Sequence, residues 1–265
     1  MLIALLAVPA LLSMQPASQP GTKPEASAKD KAHPLVTEVL YAVPKECDAD
    51  QDGRRSATGD EFIELVNPTD KPMNLKGYKI ADAKKGVPPD AKGKEKDKLD
   101  RDNRFSFTFP ELTLQPGEVV VVFNGYESSP VAPCGTKDAA AKKNPKFHDA
   151  YVFTAQVKSQ YVAFANNADC IALYDPDGNP IECLHWGEKQ KAEPALKTSK
   201  LPEARGSVQR SGPEGDFVRH ADLPGDDANE TCTPGRFRLK KDSQDPTRVV
   251  PPSSSSPVSK PTPRK

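Results

Sequence analysis

The sequence predicts an all-β protein in which antiparallel strands form a sandwich or a barrel. In the segment 62–66, Ile63 and Leu65 fall on one face and the other residues on the opposite face, as the two-residue period of a strand requires. The three phenylalanines of the segment 105–109 alternate in the same way. About nine short segments of this kind, separated by turn residues, are typical of a sandwich or barrel.

Composition favours one folded domain with extended ends. The chain has 28 prolines against 16 glycines, and many of the prolines lie near the two ends. We therefore expect the domain at 34–239 and a disordered Pro- and Ser-rich tail at 240–265. The 37 Lys and Arg residues balance the 37 Asp and Glu residues. This balance argues against a protein that binds nucleic acid by neutralising phosphates, because such proteins usually have a basic excess.

The N-terminal segment has the character of an export signal. Residues 1–13 form an apolar run that is shorter than the roughly 20 residues needed to span a bilayer as a helix. Its length suits the hydrophobic region of a signal peptide, although no Lys or Arg precedes it. We predict a signal peptide at 1–17, a linker at 18–33, no transmembrane anchor, and a secreted, periplasmic or cell-surface location. A buried N-terminal strand is the alternative interpretation.

The five cysteines agree with an oxidising compartment, and no two of them form a Cys-x-x-Cys pair. Two disulfides and one odd thiol are the expected arrangement, and all five cysteines are candidates for the disulfides. Cys47 follows the first strand and Cys232 lies near the last, so a disulfide between them would close the whole sandwich. Cys134 lies in a long loop. Cys170 and Cys183 are expected on adjacent strands, where the alternative is that they are small buried apolar residues.

The first part of the domain opens with a strand at 35–43, which is followed by an acidic loop at 48–61. A strand, a turn at Asn67–Asp70 and a second strand then take the chain to Asp82. The segment 83–104 holds eight basic and five acidic residues and almost no apolar ones, which predicts a mobile surface insertion. An acidic polymer is an alternative partner for this insertion, but the interleaved acids favour a solvated loop.

The middle of the domain resumes with the strand at 105–109. Gln115–Gly117 offers Pro and Gly where a type II turn needs them. The strand at 118–124 is apolar on both faces, which predicts a central strand that is covered on both sides. A second insertion is expected at 126–150, with one helical turn at 137–143.

The last part of the domain contains the clearest hairpin, at 166–187, because Pro176 and Gly178 suit a tight turn between two apolar strands. A linker rich in Glu, Lys and Pro follows the hairpin. The remaining strands are expected at 151–154, 161–164, 206–211 and 216–220.

Four motifs resemble the lamin tail domain, in the order in which that family carries them. They are Gly59–Thr69, the Leu-x-Pro-Gly-Glu at 114–118 with its apolar run, the hairpin at 166–187, and the Thr-Pro-Gly-Arg turn at 233–236. The resemblance implies an immunoglobulin-like antiparallel β-sandwich. It also implies an accessory binding role, because bacterial members often accompany secreted nucleases, phosphatases and adhesins. The two long insertions depart from the family pattern.

The acidic loop is the strongest candidate for a metal site. Asp48, Asp50 and Asp52 alternate before a glycine, a pattern that can wrap a hard cation in oxygen ligands. Asp60 and Glu61 come just after the position where a bidentate carboxylate is expected. The flanking segments are strands, so the loop is not an EF-hand. We expect either a weak calcium site made by these five residues or a solvated acidic turn.

Catalytic patterns are weak. The four histidines, at 33, 148, 185 and 220, stand in no metal or nucleophile motif. His185 alternates with apolar neighbours, which favours a hydrogen-bonded sheet residue. Glu64 would have a raised pKa if it were buried, but acids on an outer sheet face are commoner. A hydrolase would need a pocket that gathers His148, His185 or several carboxylates.

We therefore expect a non-catalytic, exported binding or structural module that requires no cofactor, with calcium as the one candidate. Its loops or sheet edges would contact a protein, a polysaccharide or DNA outside the cell or in the envelope, although the net charge gives nucleic acid no support. Two other functions stay open. One is a calcium-dependent surface-binding protein that uses residues 48–61, and the other is a hydrolase whose site is assembled only by the fold.

Overall fold

The computed structural model describes residues 32–82, 104–187, 197–223 and 230–237. The predicted signal peptide, most of the linker at 18–33, most of the insertion at 83–104, most of the linker after the hairpin and the tail at 240–265 lie outside the described residues. Among the residues that are described, no helix is long and apolar enough to cross a membrane.

The described residues form fourteen short strands, which is more than expected because several edge strands are only two to four residues long. The strands are β1 Leu35–Leu40, β2 Phe62–Val66, β3 Met73–Asn74, β4 Lys79–Asp82, β5 Ser106–Thr108, β6 Thr113–Leu114, β7 Val119–Phe123, β8 Lys143–Asn144, β9 Ala150–Thr154, β10 Asp169–Tyr174, β11 Pro180–Trp186, β12 Lys197–Lys200, β13 Val208–Arg210 and β14 Phe217–Arg219. Short 3-10 helices occupy Pro145–Phe147 and His220–Asp222.

The strands make two main sheets. One sheet has seven strands in the order β14-β13-β1-β2-β7-β9-β8, and the other has five in the order β12-β11-β10-β4-β5. A small two-stranded sheet pairs β3 with β6. Neighbouring strands are antiparallel except for β7 with β9 and β11 with β12. The final pair, β13 with β14, forms at the position that the sequence predicts.

The main core lies between the two large sheets. Ile63 and Leu65 of β2 are fully buried and pack in one cluster with side chains from the five-stranded sheet, such as Ile171 of β10. The three phenylalanines at 105, 107 and 109 point into the same cluster, as their alternation predicts. The protein is therefore an immunoglobulin-like β-sandwich, as predicted.

A second core covers the outer face of the seven-stranded sheet. Phe62 and Val66 of β2 and Val121 of β7 pack there against Phe147 and Phe237, which come from segments that cross this face. Strands β2 and β7 are consequently buried on both faces, with no exposed residue in either. The prediction of a central, doubly covered strand at 118–124 is confirmed.

Three local predictions need correction. Cys170 of β10 and Cys183 of β11 form a disulfide, which confirms both as disulfide candidates and makes the alternative, that they are unbonded apolar residues, wrong; their Cα atoms are 6.5 Å apart, within disulfide range. The segment 161–164 is not a strand, because its backbone bonds are made by a turn and by a side chain. The segment 137–143 is not helical, because Thr136 and Ala139 exchange backbone hydrogen bonds in a tight turn.

Candidate functional site: the acidic loop and its neighbouring cleft

The loop between β1 and β2 brings three of the predicted carboxyl groups together. Asp48, Asp50 and Asp60 each place an oxygen within 4.8 Å of the others. Asp50 and Asp60 are fully buried, and Asp48 is half-buried. Since Asp60 stands two residues before β2, the start of the strand fixes one side of the cluster and the loop supplies the other.

Backbone hydrogen bonds hold the loop around these carboxylates. Asp60 accepts from the backbone N–H groups of Asp50, at 3.0 Å, and Ser56. Asp48 Oδ2 accepts from the N–H of Gly53 at 2.9 Å, and Gly53 has a φ of 91°, which an L side chain rarely adopts. The alternating aspartates and the glycine that follows them therefore fold locally into a series of side-chain-to-backbone turns.

Two carboxylate oxygens in the cluster remain unsatisfied. Asp48 Oδ1 and Asp50 Oδ2 are buried atoms that accept no hydrogen bond from the described residues, and the buried hydroxyl of Ser128 is also without a partner there. Burial raises the pKa of Asp50 to about 7, despite the lowering effect of the nearby Ser128, and it also raises the pKa of Asp60. The fold therefore keeps acidic oxygens in a place where water solvates them poorly.

The other two predicted ligands do not join the cluster. Asp52 accepts from the backbone N–H of Arg54 at 2.8 Å and pairs with its guanidinium at 3.6 Å. Glu61 accepts instead from the backbone N–H of Phe164 at 3.1 Å and from the Asn124 side-chain amide at 3.2 Å. These contacts hold Glu61 away from the cluster, so Asp60 and Glu61 do not serve the same site.

An open cleft of about 610 Å³ lies beside the acidic loop. Three segments that are distant in sequence line it, namely 52–54, 125–129 and 156–158. Its charged lining residues are Asp52, Arg54, Glu127 and Lys158, so two acids face two bases. Arg54 also donates to the carbonyl of Glu127 at 3.2 Å and thereby ties the acidic loop to the opposite wall.

The walls of the cleft have an unusual backbone conformation. Glu127 has a φ of 49° and Gln156 a φ of 51°, although neither is glycine. Gly125, with a φ of 73°, lies so close to Thr154 that an added Cβ would fall 1.9 Å from the Thr154 hydroxyl. Left-handed backbone at residues other than glycine costs free energy and is often found at binding sites.

Two tyrosines stand near the cleft. Tyr126 lines it and donates its hydroxyl to Glu127 at 2.9 Å, a bond that raises the pKa of Tyr126, with a smaller contribution from the nearby Tyr161. Tyr161 is 80% exposed, the one large hydrophobic side chain so exposed among the described residues. The hydroxyl of Thr58 in the acidic loop contacts the carbonyl of Gln160 and holds the Tyr161 segment in place.

A second group of buried carboxyls lies on the seven-stranded sheet and belongs to a different arrangement. Glu38 of β1 and Glu64 of β2 are directly paired across the strands, and both are fully buried. Glu64 was expected on a solvent-facing surface; instead, residues 230–237, here called the C-terminal clasp, cover it. Burial raises the pKa of Glu38 to about 7, and burial together with the charge of Glu38 raises that of Glu64 to about 8.

The clasp supplies donors to this pair. Thr233 N–H donates to Glu38 at 3.0 Å, and Gly235 N–H donates to Glu64 at 2.8 Å. The hydroxyls of Ser207 and Thr37 donate to Glu38 and Glu64, respectively. These two carboxyls therefore fasten the last described segment to the first two strands.

The remaining cysteines also meet at the clasp. The Sγ atoms of Cys47 and Cys232 lie 3.3 Å apart as unbonded thiols, so the fold brings together the pair that the sequence suggests. Cys134 is a third free thiol and is half-buried. A disulfide between Cys47 and Cys232 stays a prediction.

The histidines lie in separate places. His33 contacts the Tyr78 hydroxyl, and His220 contacts Thr233 of the clasp. His185 is on β11, where its Nδ1 has no hydrogen-bond partner among the described residues, and burial lowers its pKa. His148 follows the 3-10 helix at 145–147. None of them joins the carboxylate cluster around Asp50.

Comparison with known proteins places the chain in a family. The sequence model of the lamin tail domain matches residues 43–188, which is more than half of the 265 residues. The chain belongs to the lamin tail domain family. The matched region contains the acidic loop, the cleft and the hairpin at 166–187, whereas β13, β14 and the clasp lie beyond it.

Other comparisons add little to this assignment. A DUF4876 family protein from Bacteroides thetaiotaomicron has a crystal structure that is similar at 14% sequence identity and a TM-score of 0.35, covering 71% of this chain and 65% of that one. No curated protein matches the chain.

Proposed function

We propose that this lamin tail domain protein is a non-catalytic, exported binding module, and that the cleft beside the acidic loop binds a polysaccharide. The observation that carries the proposal is the cleft itself, which three loops line with polar side chains and a tyrosine. Loops positioned by a rigid sandwich are common places for binding residues. The family is a non-enzymatic immunoglobulin-like domain, which supports a role in binding.

The charges of the cleft favour a polymer without a dense negative charge. Asp52 and Glu127 balance Arg54 and Lys158, and Arg54 is already engaged by Asp52. A phosphate backbone is held by basic side chains in excess, which this lining lacks. Hydroxyl groups of sugars can both donate and accept, so they suit a lining of carboxylates, amides and cations.

The tyrosines supply the apolar part of such a site. The exposed ring of Tyr161 and the half-exposed ring of Tyr126 offer flat faces with a polar hydroxyl at one end. The apolar face of a sugar ring can pack on such a surface while its hydroxyls bond to the side chains around it. Tyrosine adds this contact area at a small cost in side-chain entropy.

Export is the second part of the proposal. The disulfide between Cys170 and Cys183 supports an oxidising compartment, and the apolar run at 1–13 suits a signal peptide. The polysaccharide would then belong to the cell envelope or to the surroundings of the cell.

Binding of the purified protein to immobilised envelope and extracellular polysaccharides tests this function. We expect Tyr161→Ala and Lys158→Ala to lower the affinity about tenfold, which corresponds to about 1.4 kcal/mol. Lys76→Ala is the matched control, because Lys76 is also an exposed lysine and lies outside the cleft lining. Binding to a protein fraction that protease treatment abolishes would contradict the polysaccharide and favour a protein partner.

A further inference from the structure

The acidic cluster lacks a neutralising group among the described residues. Asp48, Asp50 and Asp60 each place an oxygen within 4.8 Å of the others, yet the contacts of both arginines of the loop are made elsewhere. Arg54 bonds to Asp52 and to the Glu127 carbonyl. Arg55 donates to the carbonyls of Val43 and Pro44. Three like charges at such a distance, partly withdrawn from water, repel one another unless a cation or protons offset them.

Unsatisfied oxygens are a second observation that points to a ligand at this cluster. Asp50 is fully buried, and its Oδ2 has no hydrogen-bond partner among the described residues, while its Oδ1 accepts from the backbone N–H of Asp52. Asp48 Oδ1 also has no hydrogen-bond partner among the described residues. Buried polar atoms are nearly always bonded, so a pair of bare carboxylate oxygens in a cluster requires an explanation such as a bound ion.

The geometry suits a calcium ion. Calcium binds oxygen ligands at about 2.3–2.6 Å, so two oxygens on opposite sides of the ion lie about 4.8 Å apart. The spacing of the three carboxylate oxygens stays within this limit. The unpartnered hydroxyl of Ser128, which the fold places near Asp50, offers a further hard oxygen. All these donors are oxygens, which hard cations prefer over nitrogen and sulfur.

We propose that Asp48, Asp50 and Asp60 form a calcium site that fixes the acidic loop beside the cleft. The loop continues from these residues into Asp52 and Arg54, which line the cleft. An ion on Asp48 and Asp50 would therefore set the position of one cleft wall. The calcium site itself is argued from the geometry of the loop. Only the role of the ion in positioning the cleft wall rests on the proposed binding function.

Calorimetric titration of the full chain with calcium chloride, after removal of metals by a chelator, tests the site without any polysaccharide. We expect a Kd of about 10⁻⁴–10⁻³ M, as in other extracellular calcium modules. Thermal melts should show a higher Tm with calcium, because the ion binds only the folded loop. Asp50→Asn and Asp48→Asn should each weaken binding about tenfold or more, since each removes a charged ligand.

The controls separate this site from adventitious binding. Asp177→Asn changes an exposed aspartate on the turn between β10 and β11 and should leave calcium affinity unchanged. If Asp50→Asn fails to fold, Asp48→Asn still decides, because its half-buried amide keeps an acceptor for Gly53.

Three results would overturn the site. They are no heat up to about 10 mM calcium, unchanged affinity in both variants, and magnesium binding as tight as calcium binding. Polysaccharide binding that persists unchanged in a calcium-free variant would remove the role of the metal and leave the binding function intact.

Discussion

The Glu38–Glu64 pair and the acidic loop are both buried carboxyl clusters, and burial raises pKa values in both. They differ in how their oxygens are satisfied. Ser207, Thr37 and the backbone of the clasp donate to the Glu pair. In the acidic loop, by contrast, one oxygen of Asp48 and one of Asp50 accept no hydrogen bond from the described residues.

This difference separates a structural cluster from a binding cluster. Because groups of the chain itself donate to the Glu pair, the pair stabilises the fold. Removing its carboxyl groups should therefore lower the free energy of unfolding. The acidic loop keeps part of its hydrogen-bonding capacity for something outside the chain, so its carboxylates should cost stability when no ligand is present. The following predictions test the contrast, from the largest expected effect to the smallest.

The largest effect should come from the covalent closure of the clasp. Under oxidising conditions we expect Cys47 and Cys232, with Sγ atoms 3.3 Å apart, to form a disulfide across a sequence separation of 185. The chain-entropy model gives a contribution of about 5 kcal/mol for so long a loop. Urea unfolding of oxidised Cys232→Ala should show this loss, and Cys134→Ala should change stability by less than about 1 kcal/mol.

Peptide mapping without reductant checks the linkage directly. A map in which Cys47 is found unpaired, or is paired with Cys134, would contradict the closure of the clasp by this route.

The next effect concerns the Glu pair itself. Glu64→Leu leaves the Thr37 hydroxyl and the Gly235 N–H buried without an acceptor. The free energy of unfolding should fall by about 3 kcal/mol, because each unsatisfied buried donor costs roughly 1–3 kcal/mol. Glu64→Gln keeps an acceptor and should cost less. Glu111→Leu, at an exposed position, serves as the control and should stay within about 0.5 kcal/mol.

The pH dependence of stability should follow from the same pair. Because the folded pKa values of Glu38 and Glu64 are raised to about 7 and about 8, the folded state binds more protons than the unfolded state above about pH 4.5. Their contribution is therefore fully present below that pH and is lost as the pH rises towards 8. We expect a decline on the order of 1 kcal/mol per pH unit in urea unfolding.

Glu64→Gln should make this decline shallower. Asp50, Asp60 and Glu61 also have raised pKa values, so the difference between the variant and the wild type isolates the Glu pair. Equal slopes in the two proteins would show that the pair is ionised in the fold.

The smallest effect should have the opposite sign. In the presence of a chelator, Asp50→Asn removes one charge from the crowded cluster and keeps the acceptor for the Asp52 N–H. We expect the free energy of unfolding to rise by about 1 kcal/mol, because like-charge repulsion decreases. A thermal melt with chelator measures this, and a clear loss of stability would make the acidic loop a structural cluster like the Glu pair.

Local patterns predicted those parts of the fold that depend on periodicity. The doubly apolar strand at 118–124 lies inside its sheet, between β2 and β9, and the hairpin turn at Pro176–Gly178 forms where turn residues place it. Strand β12 was missed because its polar residues, Lys197–Lys200, follow a linker-like segment and pair in parallel with β11. Strands that pair in parallel are not joined by a tight turn, so no short turn motif in the sequence indicates the pairing.

The candidate site was only partly predictable for a similar reason. Asp48, Asp50 and Asp60 belong to one loop, so their spacing can be read directly from the sequence. Ser128 and the opposite cleft wall are about 70 residues away, as the bond from Arg54 to the Glu127 carbonyl shows. The burial of Glu64 depends equally on a clasp 171 residues later in the chain, a contact that no short pattern encodes.

The clasp also has a consequence for how the protein acquires its shape during synthesis. Thr233 donates to a carboxyl on the first strand across a separation of 195 residues, and Phe237 completes the outer core. In a nascent chain that still lacks this segment, Glu38, Glu64 and the outer face of the seven-stranded sheet remain exposed to solvent. Folding of the complete domain must therefore wait until the clasp has been synthesised, because its contacts join distant parts of the chain.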